Sequence, residues 1–132
     1  MPTAGVEEFG RILVRQVRDA AIGSNDRELE PGRRDPVAKR WAAALTAGTP
    51  EEVARTVIMD SVDSAIFYLL QMIDQQVLRL SYMTEEGDVV DLSEEGLGEL
   101  SGWYMGTGSG GWRIRYSEQR FVDDFSDLGG AD

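Results

Sequence analysis

TPEEVARTVIMDSVDSAIFYLLQMIDQQVLRLSYM, residues 49–83, holds a long helix, a strand and the point where one period gives way to the other. Thr49 is an N-cap residue, Pro50 suits the first helical position and Glu52 completes a capping box, so a helix starts here. From there to about Gln76, Ile58, Val62, Ala65, Ile66, Leu69, Met72 and Ile73 fall on one wide side of a helical wheel. That pattern predicts a central core helix, continuous through Asp60-Ser61. After Gln76 the period drops to two. Val77 to Met83 alternates, with Leu78, Leu80 and Tyr82 on one side and Arg79 and Ser81 on the other.

Toward the N-terminus, Asp35-Pro36 marks another helix start, running to about Ala47 with Val37, Trp41, Ala44 and Leu45 inward and Gly48 as the stop. Ser24 to Arg34 lacks periodicity and predicts a mobile loop. Before it, Val6, Phe9, Leu13, Val17 and Ala20 recur at helical spacing, predicting a helix from Val6 to Ile22 that stops at Gly23. Arg11, Arg15 and Arg18 share the opposite face.

Toward the C-terminus, Thr84-Glu85-Glu86-Gly87-Asp88 forms a hairpin loop and Val89 to Leu92 the returning strand. Ser93-Glu94-Glu95 opens a short helix weakened by Gly96, Gly98 and Gly102. Trp103-Tyr104-Met105 and Trp112 to Tyr116, on either side of a glycine-rich stretch, predict a second hairpin. Ser117 is placed to cap a last short helix carrying Phe121 and Phe125, ahead of a frayed acidic tail at 126–132. Helices precede strands, so the expected class is a single α+β domain: N-terminal helices, one long core helix over about 50–76, then a small antiparallel sheet of two hairpins with short helices.

The charge is unevenly divided. Residues 1–49 carry 8 basic and 7 acidic side chains, whereas residues 50–132 carry 5 and 17, within a chain of net charge −11. There is no cysteine and no histidine, which excludes disulfides, thiolate sites and Ser-His-Asp or Cys-His catalysis within this chain. The acidic surplus would repel nucleic-acid phosphate and anionic lipid, so neither is expected as a direct partner. No basic, apolar leader opens the sequence and its longest apolar run, Ala65 to Leu70, is short, which predicts a cytoplasmic protein. No cofactor is indicated.

Three groups of residues carry candidate chemistry. Gly106 to Gly111 matches G-x-G-x-x-G, but the following Trp112-Arg113-Ile114-Arg115-Tyr116 alternates as a strand, and a dinucleotide site needs a strand before and a helix after. The stretch is therefore a connection. Asp60, Asp63 and Asp74 line one stripe of the long helix, with Phe67 among them. Asp60 and Asp63, one turn apart, are weak candidates for a hard divalent cation, against the plainer reading of a solvated helix face. Finally, Glu85, Glu86, Asp88, Asp91, Glu94, Glu95 and Glu99 place seven acids in fifteen residues with no base among them, followed by Trp103 and Trp112. Carboxylates beside aromatics suit arginine-rich targets through ion pairs and cation–π contacts.

The leading functional expectation is a small acidic protein-binding module that recognises a basic partner surface. By size and charge it is analogous to immunity proteins, inhibitors and secretion chaperones. Glu85, Glu86, Asp88, Asp91, Glu94 and Glu95 would supply charge, and Trp103 or Trp112 an anchor. The alternatives are a metal-dependent enzyme built on the carboxylates of the long helix, and a self-associating adaptor in which the arginines of one copy meet the acids of another.

Overall fold

The computed structural model describes residues 2–106 and 111–124. It contains α1 (Ala4–Ile12), a π-helical segment (Leu13–Arg18), α2 (Asp19–Glu28), α3 (Pro36–Ala47), α4 (Pro50–Asp74), β1 (Ser81–Met83), β2 (Val89–Asp91), α5 (Leu92–Glu95), α6 (Leu100–Met105) and α7 (Trp112–Tyr116). The class is α+β, with the long helix as its axis.

α4 starts where its capping box places it. Thr49 accepts a hydrogen bond from the Glu52 amide at 3.3 Å, and Glu52 accepts one from the Thr49 amide at 3.0 Å. The helix passes Asp60-Ser61 without a break and ends at Gln75. Gln76 then takes a left-handed φ of 61° and turns the chain toward the sheet. α2, the π segment, α3 and α6 all pack against α4. Taken alone, α4 is long and apolar enough to cross a membrane, with a mean hydropathy of 1.3. In this fold 17% of that apolar window is buried, and its two mid-helix carboxylates are matched by arginines from α3 and α7.

The core lies at the C-terminal half of α4. Val17, Met72, Ile73, Leu78 and Leu100 form its buried centre, with Ile12, Leu69, Leu80, Leu92, Trp103 and Trp112 packed around them. The expected apolar side of α4 is therefore covered unevenly. Met72 and Ile73 are buried, whereas Ile58 and Val62 remain 56% and 53% exposed.

The N-terminal helix runs past Gly23 to Glu28, so the expected loop over 24–34 shrinks to the turn between α2 and α3. The reason is a change of bonding in mid-helix. In the π segment the Asp19 amide donates to the Val14 carbonyl, five residues back. Of the expected face, Val17 is buried and Ala20 half-buried, whereas Val6, Phe9 and Leu13 are exposed, and across this wider turn Ile12 and Ala21 join Val17 on the buried side. Asn25 and Glu28 continue that face, and Asn25 accepts a hydrogen bond from Ser64 of α4 at 3.0 Å. In α3, Trp41 is fully buried as expected, but Leu45 is exposed.

One hairpin forms. β1 and β2 pair antiparallel in the register Ser81↔Asp91, Tyr82↔Val90 and Met83↔Val89. The strand expected from Val77 is confined to Ser81–Met83, because Leu78 turns into the core. The expected second hairpin is replaced by helices: Trp103-Tyr104-Met105 belong to α6 and Trp112–Tyr116 form α7. Short aromatic runs fit either period, and packing on α4 selects the helix. α6 stops at Gly106, whose φ is 80°, and a Cβ on Gly111 would lie 2.3 Å from the Gly106 Cα. Glycine is required there because the two ends of the connection touch. Residues 117–124 form no helix, which removes the one expected after Ser117. Phe125 and the tail at 126–132 lie outside the described residues.

Candidate functional site

The three aspartates of α4 are neither solvated nor gathered together. Asp60 is buried and accepts from Arg40 of α3 at 2.8 and 3.2 Å and from the Trp41 indole at 2.7 Å. Arg40 also donates to both carboxylate oxygens of Asp124, at 3.0 and 3.1 Å, so one guanidinium joins α3, α4 and the C-terminal segment. Burial works to lower the Arg40 pKa, but its two carboxylate partners outweigh that and hold it above its ordinary value.

One turn on, Asp63 accepts from the Tyr104 hydroxyl at 2.6 Å and from Arg113 at 2.8 Å, while Arg113 also donates to the Met105 carbonyl at 2.6 Å. Burial and the bond to Asp63 push the Tyr104 phenol well above its usual range. At the far end of α4, Asp74 caps α6 from outside it. It accepts from the Leu100 and Ser101 amides at 2.9 and 3.0 Å and from the Ser101 hydroxyl at 2.8 Å. The stripe read as a solvated face is thus the seam that ties α3, α6, α7 and residue 124 to α4. Among the described residues no group of three or more carboxylates is placed to hold a metal ion. The convergence that a carboxylate metal enzyme requires is not formed by Asp60, Asp63 and Asp74. Phe67, in the same stripe, is half-buried and packs edge-to-face on Tyr68 at 5.5 Å.

The glycine-rich segment fails as a dinucleotide fingerprint, but for a different reason from the one its sequence suggested. A helix, α7, does follow it, and a helix rather than a strand precedes it.

The acids of the hairpin differ from those of α4. Glu85, Glu86, Asp88, Asp91, Glu94, Glu95 and Glu99 are all exposed. Two are engaged locally. Asp91 caps α5 by accepting from the Ser93 and Glu94 amides at 3.0 and 3.3 Å, and Glu95 returns a bond to the Asp91 amide at 3.2 Å. None of the seven forms an ion pair within the described residues. On the strands behind the tip, the facing pair Met83 and Val89 is 66% and 64% exposed. The acidic loop therefore caps a small apolar patch.

Trp103 and Trp112 stand elsewhere. Both are half-buried against the core cluster, and their rings meet at 6.0 Å. Trp112 also lines a groove of ≈ 610 Å³ between the N-terminal half of α4 and the segment from α7 to Phe121. Ile58, Met59 and Val62 form one wall and Trp112, Tyr116 and Phe121 the other, with the Asp63–Arg113–Tyr104 cluster also lining it. Sequence reasoning missed this groove. The signal available was the length of the apolar side of α4, which reaches back to Ile58 and Val62 and is too long for one short sheet to cover.

A further pair of acids sits where α2 meets α3. Glu28 is pushed up to about 7, first by burial and then by hydrogen bonding with Asp35. Asp35 is held down at about 2, chiefly because it accepts from Glu28, with help from Arg33 and the Ala38 amide it caps. The chain matches no protein-family model, no curated protein and no solved structure with which it was compared.

Proposed function

We propose that the chain is a protein-binding module whose acidic hairpin recognises a basic surface on a partner protein. The observation that carries this reading is the contrast between exposure and pairing. Seven carboxylates between residues 85 and 99 are exposed and without ion pairs among the described residues, and five of them have no capping role either. Packing seven like charges onto one small hairpin and helix opposes folding slightly through mutual repulsion, and a cationic partner relieves it. Met83 and Val89 beside the tip supply an apolar contact that would be dehydrated on docking, with the acids as the charged rim. Such a surface steers association, so the on-rate falls steeply with salt. Trp103 and Trp112 are left to the core and the groove, and the anchor passes to Met83 and Val89.

The test is capture from the source lysate with the wild-type chain and an Glu85→Lys, Glu86→Lys, Asp88→Lys variant in parallel, at low and high salt. A basic protein retained by the wild type, released by salt and missing from the variant supports the reading. Equal retention by both chains removes the hairpin as the binding surface.

The exposed stripe Val6, Phe9 and Leu13, on α1 and the start of the π segment, favours a second reading, self-association through the N-terminal helix. Arg11 and Arg15 on that helix are exposed and carry no ion pair among the described residues, and could meet the acids of a second copy. Sedimentation at low and high salt decides it, since a monomer under both conditions excludes this assembly.

A further inference from the structure

We infer that the groove between α4 and the C-terminal segment is a binding site for a hydrophobic monocarboxylate, held with its apolar body between the two walls and its carboxylate at Arg120. The cavity of ≈ 610 Å³ falls inside the range of about 300–1,000 Å³ typical of small-molecule sites. One wall is aliphatic (Ile58, Met59, Val62) and the other aromatic (Trp112, Tyr116, Phe121), which makes a slot suited to a chain or a flat ring. These walls are not left open by weak folding. Trp112 is fixed by Trp103 and the core, and Arg113 lies over the Phe121 ring at 4.9 Å.

Charge selects the ligand's head. The charged residues lining the groove are Asp63, Arg113 and Arg120. Asp63 and Arg113 neutralise each other at 2.8 Å, which leaves the exposed guanidinium of Arg120. Its described partner is the backbone carbonyl of Arg55, at 2.9 Å, and it has no carboxylate among the described residues. In a chain of net charge −11 this is a local cationic point at the edge of an apolar slot. Arg113 is not available for the same role, because it is buried and its guanidinium is bound to Asp63 and to the Met105 carbonyl. An amphipathic anion satisfies both features: apolar walls and one cation with no carboxylate partner among the described residues. A cationic or neutral amphiphile satisfies only the first.

The experiment is a calorimetric titration with decanoate, decanol and decylammonium, each below its micelle concentration, with Trp fluorescence as a second readout. Saturable binding of decanoate, at least tenfold tighter than decylammonium, is the expected result. Arg120→Gln should bring decanoate down to the affinity of decanol. Val62→Trp should fill the slot and abolish binding of all three. Both positions are exposed, and unchanged circular dichroism checks that the variants fold; Ile58→Trp is the alternative plug. The absence of saturable decanoate binding, equal binding of decylammonium, or full binding by a folded Val62→Trp variant each overturns the proposal. The Glu85→Lys, Glu86→Lys, Asp88→Lys variant should bind decanoate as the wild type does, so this site and the hairpin succeed or fail separately.

Discussion

The aspartates of α4 and the acids of the hairpin are the same chemistry put to opposite uses. Asp60, Asp63 and Asp74 each receive two or three protein donors and sit inside the structure. Glu85, Glu86 and Asp88 are exposed and have no ion pair among the described residues. A carboxylate removed from water must find its hydrogen bonds within the protein, and once it does, its loss strands the donors as well. A carboxylate left in water contributes little to the fold and stays available to a partner. The acidity of the second half of the chain therefore divides into a structural part and a surface part.

Removing a seam carboxylate is the harshest way to test that division. Asp60→Ala should cost about 3–5 kcal/mol in chemical denaturation, because Arg40 and the Trp41 indole lose a buried acceptor. Asp63→Ala should fall in the same class, with Arg113 left buried. Asp74→Ala removes a cap delivered from another helix and should cost about 1–2 kcal/mol, the scale of a lost N-cap. If any of these variants is as stable as wild type, the seam is not what holds the C-terminal segment.

Glu28 and Asp35 sharpen the comparison through pH. The folded pKa of Glu28 is raised from 4.5 to about 7, so the stability from its neutral form is complete below about 4.5 and is lost as pH rises through about 7. Asp35, lowered from 3.8 to about 2, acts in the opposite sense, contributing above 3.8 and failing as pH falls through about 2. Melting temperatures of the wild type should therefore drop between pH 5 and pH 8, and Glu28→Gln should flatten that part of the profile. An unchanged slope would mean that Glu28 ionises freely in the folded state. The mildest effect is expected at the hairpin, where Glu85→Lys, Glu86→Lys and Asp88→Lys together should shift stability by no more than about 0.5 kcal/mol per site. A large loss there would place the hairpin acids in the seam class and weaken the case that they are held for a partner.

These outcomes also mark where the sequence could be read. The start of α4, the start of α3 at Asp35 and the first hairpin were legible, because capping boxes, N-caps and turns act across two to four neighbouring residues. The continuation of α2 through Gly23 was not, since one change of bonding at Leu13–Arg18 rotates the buried face away from the one a uniform period predicts. The second hairpin was misread for a related reason. Alternation in Trp112 to Tyr116 is only five residues long, and contact with α6 together with the Arg113 ion pair to Asp63 of α4 outweighs so short a pattern.

By itself the sequence determined the α+β class, the long helix, the absence of cysteine and histidine chemistry and the concentration of acid at residues 85–99. Tertiary structure alone decided which acids are used up. The donors to Asp60 come from residues 19 and 20 positions away, those to Asp74 from 26 and 27, and those to Asp63 from 41 and 50. The same long-range packing leaves Ile58 and Val62 facing Trp112 and Phe121 across an open slot. A carboxylate's neighbours along the chain set its helix face, but whether it is solvated, paired or capping depends on which distant donors the fold brings within about 3 Å of it.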